Sequence, residues 1–515
     1  MAYIPSIIND VLGPVMRGPS ASHTAAAYRI GLIARALMGN KIDSLIIRFD
    51  ENGALATTHS SQGSDQGLFA GLLGWDITDS RLNEVKTAIS NDTVISVEVG
   101  NYNFTHPNTY QLILKNESTS HSLTAISTGG GAITITEIDG ITIQMDGDFF
   151  ETIIFCSKVS ATALAKSITE SQNPLDLKIF KNRNDAIIKL KGEKFLTTEL
   201  VGHLEGKNEI VNIPPVLPIP SIVNHSAPFT NVNQLLDYPQ AEDLQLWELA
   251  LEYECRRSGL SQEAILTEVI TIVKIMRNSI NEGISGTDFS DRILGSQSIK
   301  YMEKKNDGEL IEAGILDRMV ENISAIMEVK SSWGIIVAAP TAGSCGTLPG
   351  SVLAVADSIG STDQDIVKAM LAAGLIGIFI INGATFSAEV GGCQAECGAA
   401  SGMAAAALAT LKQGSLHVAL DAAAMALQNS LGMICDPIAN RVEVPCLGKN
   451  IMAAGNALTC ANMALAGYDV VVPLDEVIAT MKIVGENLPR ELCCTGLGGL
   501  SQTVASQKIK NRLKN

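Results

Sequence analysis

Residues 387–408 read SAEVGGCQAECGAASGMAAAAL, and residues 435–450 read CDPIANRVEVPCLGKN. The first stretch is rich in Ala and Gly, the composition of helices that approach one another closely. The second sets Cys435 and Cys446 around a short polar segment punctuated by Pro437 and Pro445. Cys393 stands 42 residues before Cys435, which stands 11 before Cys446. Cys393 and Cys397 are four apart and share a face on a helix. Iron–sulfur clusters need thiolates converging from several places. A cluster held by three of them leaves one iron open to act as a Lewis acid. Small buried cysteines in an Ala-rich bundle give the same spacing, so residues alone leave both readings open. Zinc is disfavoured, because no tight CxxC pair is present.

Working outward, almost everything from about residue 236 to the end is expected to be helical. The run 240–259 is amphipathic and stops at Gly259, and 266–284 follows it. Residues 339–360, APTAGSCGTLPGSVLAVADSIG, form a Gly-punctuated loop entering a helix. Before this lobe, 214–223 carries four prolines in ten residues and marks 214–235 as a semi-rigid linker. Residues 151–213 alternate strand and helix patterns in the order βαββαβ, a compact unit with its second helix at 196–205. Residues 1–150 read as an α/β domain, with strands at 43–49 and 93–99 and a helix at 25–39.

That first domain opens with GPVMRGPSASHTAAAYRIG (13–31), where Ser20, Ser22, His23 and Thr24 lead into a helix. Hydroxyls and free N–H groups there suit a carboxylate or phosphate, and equally an ordinary N-cap. His106, Pro107 and Asn108 sit at a turn before a strand. The three glycines 129–131 can cradle an anion or turn a tight corner. Neither GxGxxG nor a P-loop Lys occurs, so nucleotide binding is not supported.

The 515 residues suit two to four domains. A net charge of −17 argues against nucleic-acid and anionic-lipid partners. No secretory signal opens the chain, so its ten cysteines are expected as reduced thiols, metal ligands or catalysts in the cytoplasm. The uncharged stretches 369–388 and 450–468 approach membrane-spanning length. Asn382 and Asn456 inside them favour buried core helices, so no membrane is expected.

These segments resemble the iron–sulfur-dependent L-serine dehydratases (L-serine ammonia-lyases), with both parts fused in one chain. Residues 13–31 resemble the family's GPSSSHT motif. Residues 106–109 and 127–131 resemble its HPNT and SIGGG-type segments, and 339–350 its PTNGA/PTAGS loop. GCQAE followed by CDPxxGxxxxPCxxxN matches Cys393 to Asn450, and LPRELCCTGLGGL (488–500) resembles RETxxGGL. The resemblance implies Cys393, Cys435 and Cys446 as ligands of a [4Fe–4S] cluster. It implies Ser20, Ser22, His23, Thr24, His106, Asn108, Thr341, Ala342 and Gly343 around L-serine, at a domain interface. It further implies loss of water and then ammonia to give pyruvate, without pyridoxal phosphate. The N-terminal domain resembles an allosteric-substrate-binding fold, and 151–213 an ACT domain. A homodimer is expected.

The chain departs from the pattern where the family carries GHGTD. Here the stretch is SSQGSD, with Gln62 in place of the histidine. Gln cannot serve as a base, so His59 or His106 is left for that role. Otherwise the substrate is another β-substituted amino or hydroxy acid, or the protein is a serine or oxygen sensor. Cys345, Cys397, Cys493 and Cys494 are additional thiols with no assigned part. The expected whole is multidomain: 1–150 α/β, 151–213 ACT-like, 214–235 linker, and 236–515 all-α and catalytic.

Overall fold

The structure, a computed structural model, describes residues 4–60, 62–172, 176–196, 208–222 and 226–513. It separates into two compact units, Ser22–His225 and Met1–Ala21 with Ser226–Asn515.

The first unit is built on two sheets. A six-stranded sheet runs in the order Val94–Gly100, Ser44–Asp50, Thr109–Lys115, Ser120–Gly129, Ala132–Ile138 and Ile141–Met145. Its first pair is parallel and the other neighbours are antiparallel. The helices Ala26–Leu37 and Ser64–Leu73 pack together and close its core with Ile30, Ile33 and Leu68. Glycines 129–131 form the hairpin corner between two strands, with φ of +110°, +59° and +88°, a conformation that suits glycine. Buried Arg29 fastens this corner by donating to the Gly131 carbonyl at 2.5 Å.

A four-stranded antiparallel sheet follows, in the order Glu209–Ile213, Phe150–Ser157, Asp185–Gly192 and Asp176–Lys181. Alternation along the strands assigns its two faces. Ile153, Ile187, Val211 and Ile213 join the core of the larger sheet. Ile154, Ile188 and Leu190 meet Ala165 and Ile168 of the helix Ala161–Gln172. The expected helix at 196–205 lies outside the described residues except for Leu196. The Pro-rich stretch does not hang free: Val216 N–H donates to Gly147 O and Ser221 N–H to Asp148 O.

The second unit is helical, with one two-stranded ladder of Val15–Arg17 against Ile335–Val337. At its centre the helix Ala399–Leu411 is buried on almost every side. Helices Asp363–Gly383, Leu416–Gln428 and Cys446–Leu465 surround it. Asp363–Gly383 is long and apolar enough to cross a membrane, but it lies mostly inside this bundle. Thr362 caps its N-terminus in a reciprocal pair with Asp365. The helix expected from 240 starts at Leu246 instead, because Gln240 takes φ +73° and Gln245 and Glu248 cap each other. Gly259 ends it, with φ +69°.

The N-terminal segment corrects the expected boundary. Residues 4–21 belong with the helical unit, not with the α/β domain that follows them. Ile7 and Val11 pack on Gly374 and Gly377, where any Cβ would collide with them. Burying two such side chains is worth roughly 1.5–3 kcal/mol each. Glu254, fully buried, accepts from the Ser6 hydroxyl and the Ile7 N–H, both at 2.8 Å.

Candidate functional site

Two clusters of chemically competent side chains emerge, one in each unit. In the helical unit Cys393, Cys397 and Cys435 pack into one buried group with Ala388 and Ala453, and Cys494 lies against it. Cys393 precedes a wide helical turn, closed by Gly398 N–H to Cys393 O at 3.2 Å, that leads into the central helix. Such π-type turns favour functional sites. Cys435 is fixed by its backbone: its N–H donates to Leu492 O at 2.7 Å, and Cys494 N–H donates to its carbonyl at 2.8 Å. Cys494 holds φ +59° to do so. Cys446 opens the helix Cys446–Leu465. Between these two cysteines Ala439 and Asn440 take φ of +52° and +56°. Asn440 stands where the resembled pattern has glycine, and Asn tolerates the left-handed region best among the alternatives.

Charge surrounds the thiols. Lys449 donates to Ile434 O at 2.6 Å and Asp436 at 3.0 Å. Burial works against its ammonium, but Cys393 and Asp436 outweigh that and hold its pKa above the ordinary value. Lys330 is fully buried and donates to the Val442 carbonyl. A hydrogen bond to Cys393, then burial, pushes the Cys397 thiol up. For Cys435 the causes are a hydrogen bond to Cys494, then burial. Burial raises Cys446, with Cys393 adding to it. Cys345, pushed up to about 12 by burial, instead touches Met327.

Among the described residues no three donors are close enough for a single metal ion. A cluster makes a different demand, since each thiolate binds its own iron. The converging thiols, with fully buried Lys330 and half-buried Lys449 alongside to offset thiolate charge, fit that donor chemistry.

The loop after Pro340 adjoins this group through Glu396. The Thr341 hydroxyl donates to Glu396 Oε1 at 2.7 Å, and a Cβ on Gly343 would meet the same oxygen at 2.7 Å. Burial pushes the Glu396 carboxyl up to about 7, against the opposing pull of Thr341. Ala342 is buried in the same turn. Sequence reasoning missed Glu396, although it stands in the quoted GCQAE.

In the α/β unit the structure gathers Ser22, His23, Thr24, His59 and Gln62 into a network. The Thr24 hydroxyl donates to the Gln62 carbonyl at 3.2 Å, and the Ser127 hydroxyl to Ser22 O at 2.7 Å. Ser20 falls in the other unit. The hydrogen bonds assign the three histidine tautomers. Thr58 gives its hydroxyl proton to Ala54 O at 2.7 Å, so it accepts from His23 Nε2 at 3.0 Å. His23 Nδ1 then accepts from Ser22 at 3.3 Å. Burial lowers the His23 pKa to about 4, so the ring is neutral. His106 Nδ1 accepts from Asn108 N–H at 3.2 Å, which leaves the proton on Nε2; burial lowers its pKa as well. His59 is the opposite case: Nδ1 donates to Asp65 Oδ1 at 2.7 Å, so Nε2 carries the free lone pair. Asp65 is the last residue of SSQGSD and was not singled out from sequence. The Asn108 Oδ1 atom is buried and accepts no hydrogen bond among the described residues, as suits a group that awaits a ligand. A cavity of about 910 Å³ in this unit, lined by Arg35, Lys41, Glu117 and Glu209, includes none of these residues.

Known proteins match this chain in its C-terminal half and, in one case, over almost its whole length. The profile of the family described as "Serine dehydratase alpha chain" matches residues 241–501. The "Probable L-serine dehydratase, alpha chain" of Bacillus subtilis (strain 168) is 33% identical over 285 residues, covering 55% of this chain and 95% of the relative. The "L-serine dehydratase, alpha chain" of Peptoniphilus asaccharolyticus is 35% identical over 278 residues, 54% of this chain and 95% of the relative. The "L-serine dehydratase" of Helicobacter pylori (strain ATCC 700392 / 26695) is 26% identical over 500 residues, 95% of this chain and 96% of the relative.

Proposed function

The chain belongs to the serine dehydratase alpha chain family, with both parts joined in one polypeptide, and we propose that it is a cytoplasmic lyase that converts L-serine to pyruvate and ammonia with a [4Fe–4S] cluster. The observation that carries this reading is the convergence of Cys393 and Cys435 in one buried group, which Ala453 joins from the helix that Cys446 opens. Cys393, Cys435 and Cys446 would hold the cluster, which would supply Lewis acidity for loss of the β-hydroxyl. Cys397 and Cys494 are additional thiols of the same group.

The protein's own residues account for the rest. Removing the weakly acidic Cα proton needs a base with a free lone pair. His59 Nε2 has one, held in place by the bond from Nδ1 to Asp65. His106 presents a protonated Nε2 and is suited to donate, for instance to the substrate carboxylate. Asn108 Oδ1 can accept from the substrate ammonium. On the helical unit, the Thr341 hydroxyl and Glu396 form a polar wall of fixed geometry. Loss of water across Cα–Cβ leaves 2-aminoacrylate. This tautomerises to the imine, and water then replaces nitrogen to give pyruvate and ammonium. The His59–Asp65 pair answers the absence of the family's histidine at Gln62 and favours retention of the reaction.

The test is anaerobic reconstitution of the full chain with iron and sulfide, followed by L-serine and assays of pyruvate and ammonia. Equal, iron-dependent yields of both, lost after exposure to air, are expected. A loaded cluster that turns over another β-hydroxy acid but not serine would replace the substrate. Binding of serine without any product would make the protein a sensor.

A further inference from the structure

Asn450 lies one helical turn past Cys446 and is fully buried. Its Nδ2 donates to two backbone carbonyls at 2.8 Å, that of Cys446 and that of Gly343. Its Oδ1 accepts from the N–H groups of Gly346 at 3.2 Å and Thr347 at 3.1 Å, and from the Thr347 hydroxyl at 2.9 Å. A primary amide has two donors and two acceptor lone pairs. All are engaged, so Asn450 has nothing left to offer a substrate.

The partners it joins lie far apart in sequence. Gly346 and Thr347 open the helix Thr347–Ile359, whose first N–H groups have no partner within the helix. Asn450 caps them from 103 residues away. Gly343 belongs to the turn whose Thr341 hydroxyl bonds Glu396. Cys446 is a proposed cluster ligand. We propose that Asn450 is a positioning residue: its amide holds the loop 341–347 in fixed register with the helix that begins at Cys446, so that the substrate-facing loop and the thiolate stay at one spacing. This rests on the cluster-dependent dehydration proposed above.

Two substitutions separate this role from general packing. Asn450→Ala removes these five bonds and the approach of the amide to the Cys397 sulfur at 3.6 Å. Asn450→Asp keeps the shape but sets an oxygen 2.8 Å from the carbonyls of Gly343 and Cys446. Ser401→Ala is the control. Ser401 is equally buried and donates to Ala453 O on the same helix at 2.7 Å, but it touches neither the loop nor Cys446.

The full chain is reconstituted anaerobically for each variant. Amide hydrogen exchange across 343–347, iron content and steady-state kinetics with L-serine are then compared. Exchange at Gly346 and Thr347 should quicken at least about tenfold in both Asn450 variants and stay at the wild-type rate in Ser401→Ala. Iron should remain bound, while kcat/KM falls by on the order of 10²-fold, mostly through KM. Unchanged exchange would overturn the proposal. So would loss of the cluster in Asn450→Ala, which would make Asn450 a support for Cys446 alone, or a kinetic loss no larger than in the control. Should the wild type itself make no pyruvate, the proposed function fails, and exchange with iron content still decides whether Asn450 holds the loop.

Discussion

His59 Nδ1 donates to Asp65 Oδ1 across 2.7 Å, and this one contact distinguishes His59 from His23 and His106. It commits a proton to Nδ1 and leaves Nε2 as the nitrogen that can exchange a proton with substrate. His59→Asn should therefore lower kcat by about 10²–10⁴-fold with the cluster intact. Asp65→Asn should lower it by a similar order, because an amide can donate to Nδ1 and drive the proton to Nε2. His106→Asn should act mainly on KM. A His59→Asn enzyme with wild-type kcat would move the base elsewhere.

His23 gives the α/β unit a defined acid sensitivity. Its folded pKa, about 4, lies below the ordinary 6.5 because burial disfavours the charged ring. Between those two values the unfolded chain binds a proton that the folded chain does not. The neutral ring's contribution is thus fully present above pH 6.5 and declines as pH falls toward 4. The whole effect amounts to at most about 3 kcal/mol. Urea unfolding followed from pH 7 to pH 4.5 should show falling stability, with a shallower slope in His23→Gln. Identical slopes would mean that the ring is protonated in the folded state.

The strands Phe150–Ser157 and Asp185–Gly192 fall where alternation and the flanking turns put them, because each face meets a different core. Spacing left the cysteines open between cluster ligands and core packing, and only the resemblance singled out Cys393, Cys435 and Cys446; the fold brings Cys393 and Cys435 into one buried group. Residues 4–21 were not, since what holds them is Glu254 and the glycines 374 and 377, more than two hundred residues away. No local periodicity announces such a contact. Glu396 and Lys330 were unread for a related reason: sequence states a charge but not its depth, and here Lys330 is fully buried and Glu396 partly buried beside thiols. Asp65 was visible in SSQGSD, but only the fold brings it to His59.

Glu254 should be among the costliest side chains to remove. It joins the Ser6 hydroxyl, the Ile7 N–H and the Arg257 guanidinium, the last at 3.0 Å, with no exposure to water. Glu254→Ala leaves Arg257 buried without this carboxylate and releases residues 4–21 from one anchor. A loss of about 3–5 kcal/mol is expected, together with faster proteolysis near the N-terminus. A loss below about 1 kcal/mol would mean that water reaches the pair.

The thiols divide by what holds them. Cys393 and Cys446 each sit at the start of a helical segment, and the Cys435 backbone is fixed by Leu492 and Cys494, distant in sequence. Cys397 lies inside a turn, where the Asn450 amide approaches its sulfur at 3.6 Å, and Cys494 depends on a left-handed backbone at φ +59°. Serine at position 393, 435 or 446 should abolish the cluster's visible absorbance and reduce bound iron to a small fraction. Cys397→Ser and Cys494→Ser should keep about wild-type iron, since neither removes an iron bond and each swap is close to isosteric. A chelator that strips the wild type should abolish pyruvate formation, and iron with sulfide should restore it. Full iron in Cys446→Ser, with its loss in Cys494→Ser, would exchange the two thiols' roles and move the site toward residues 488–500.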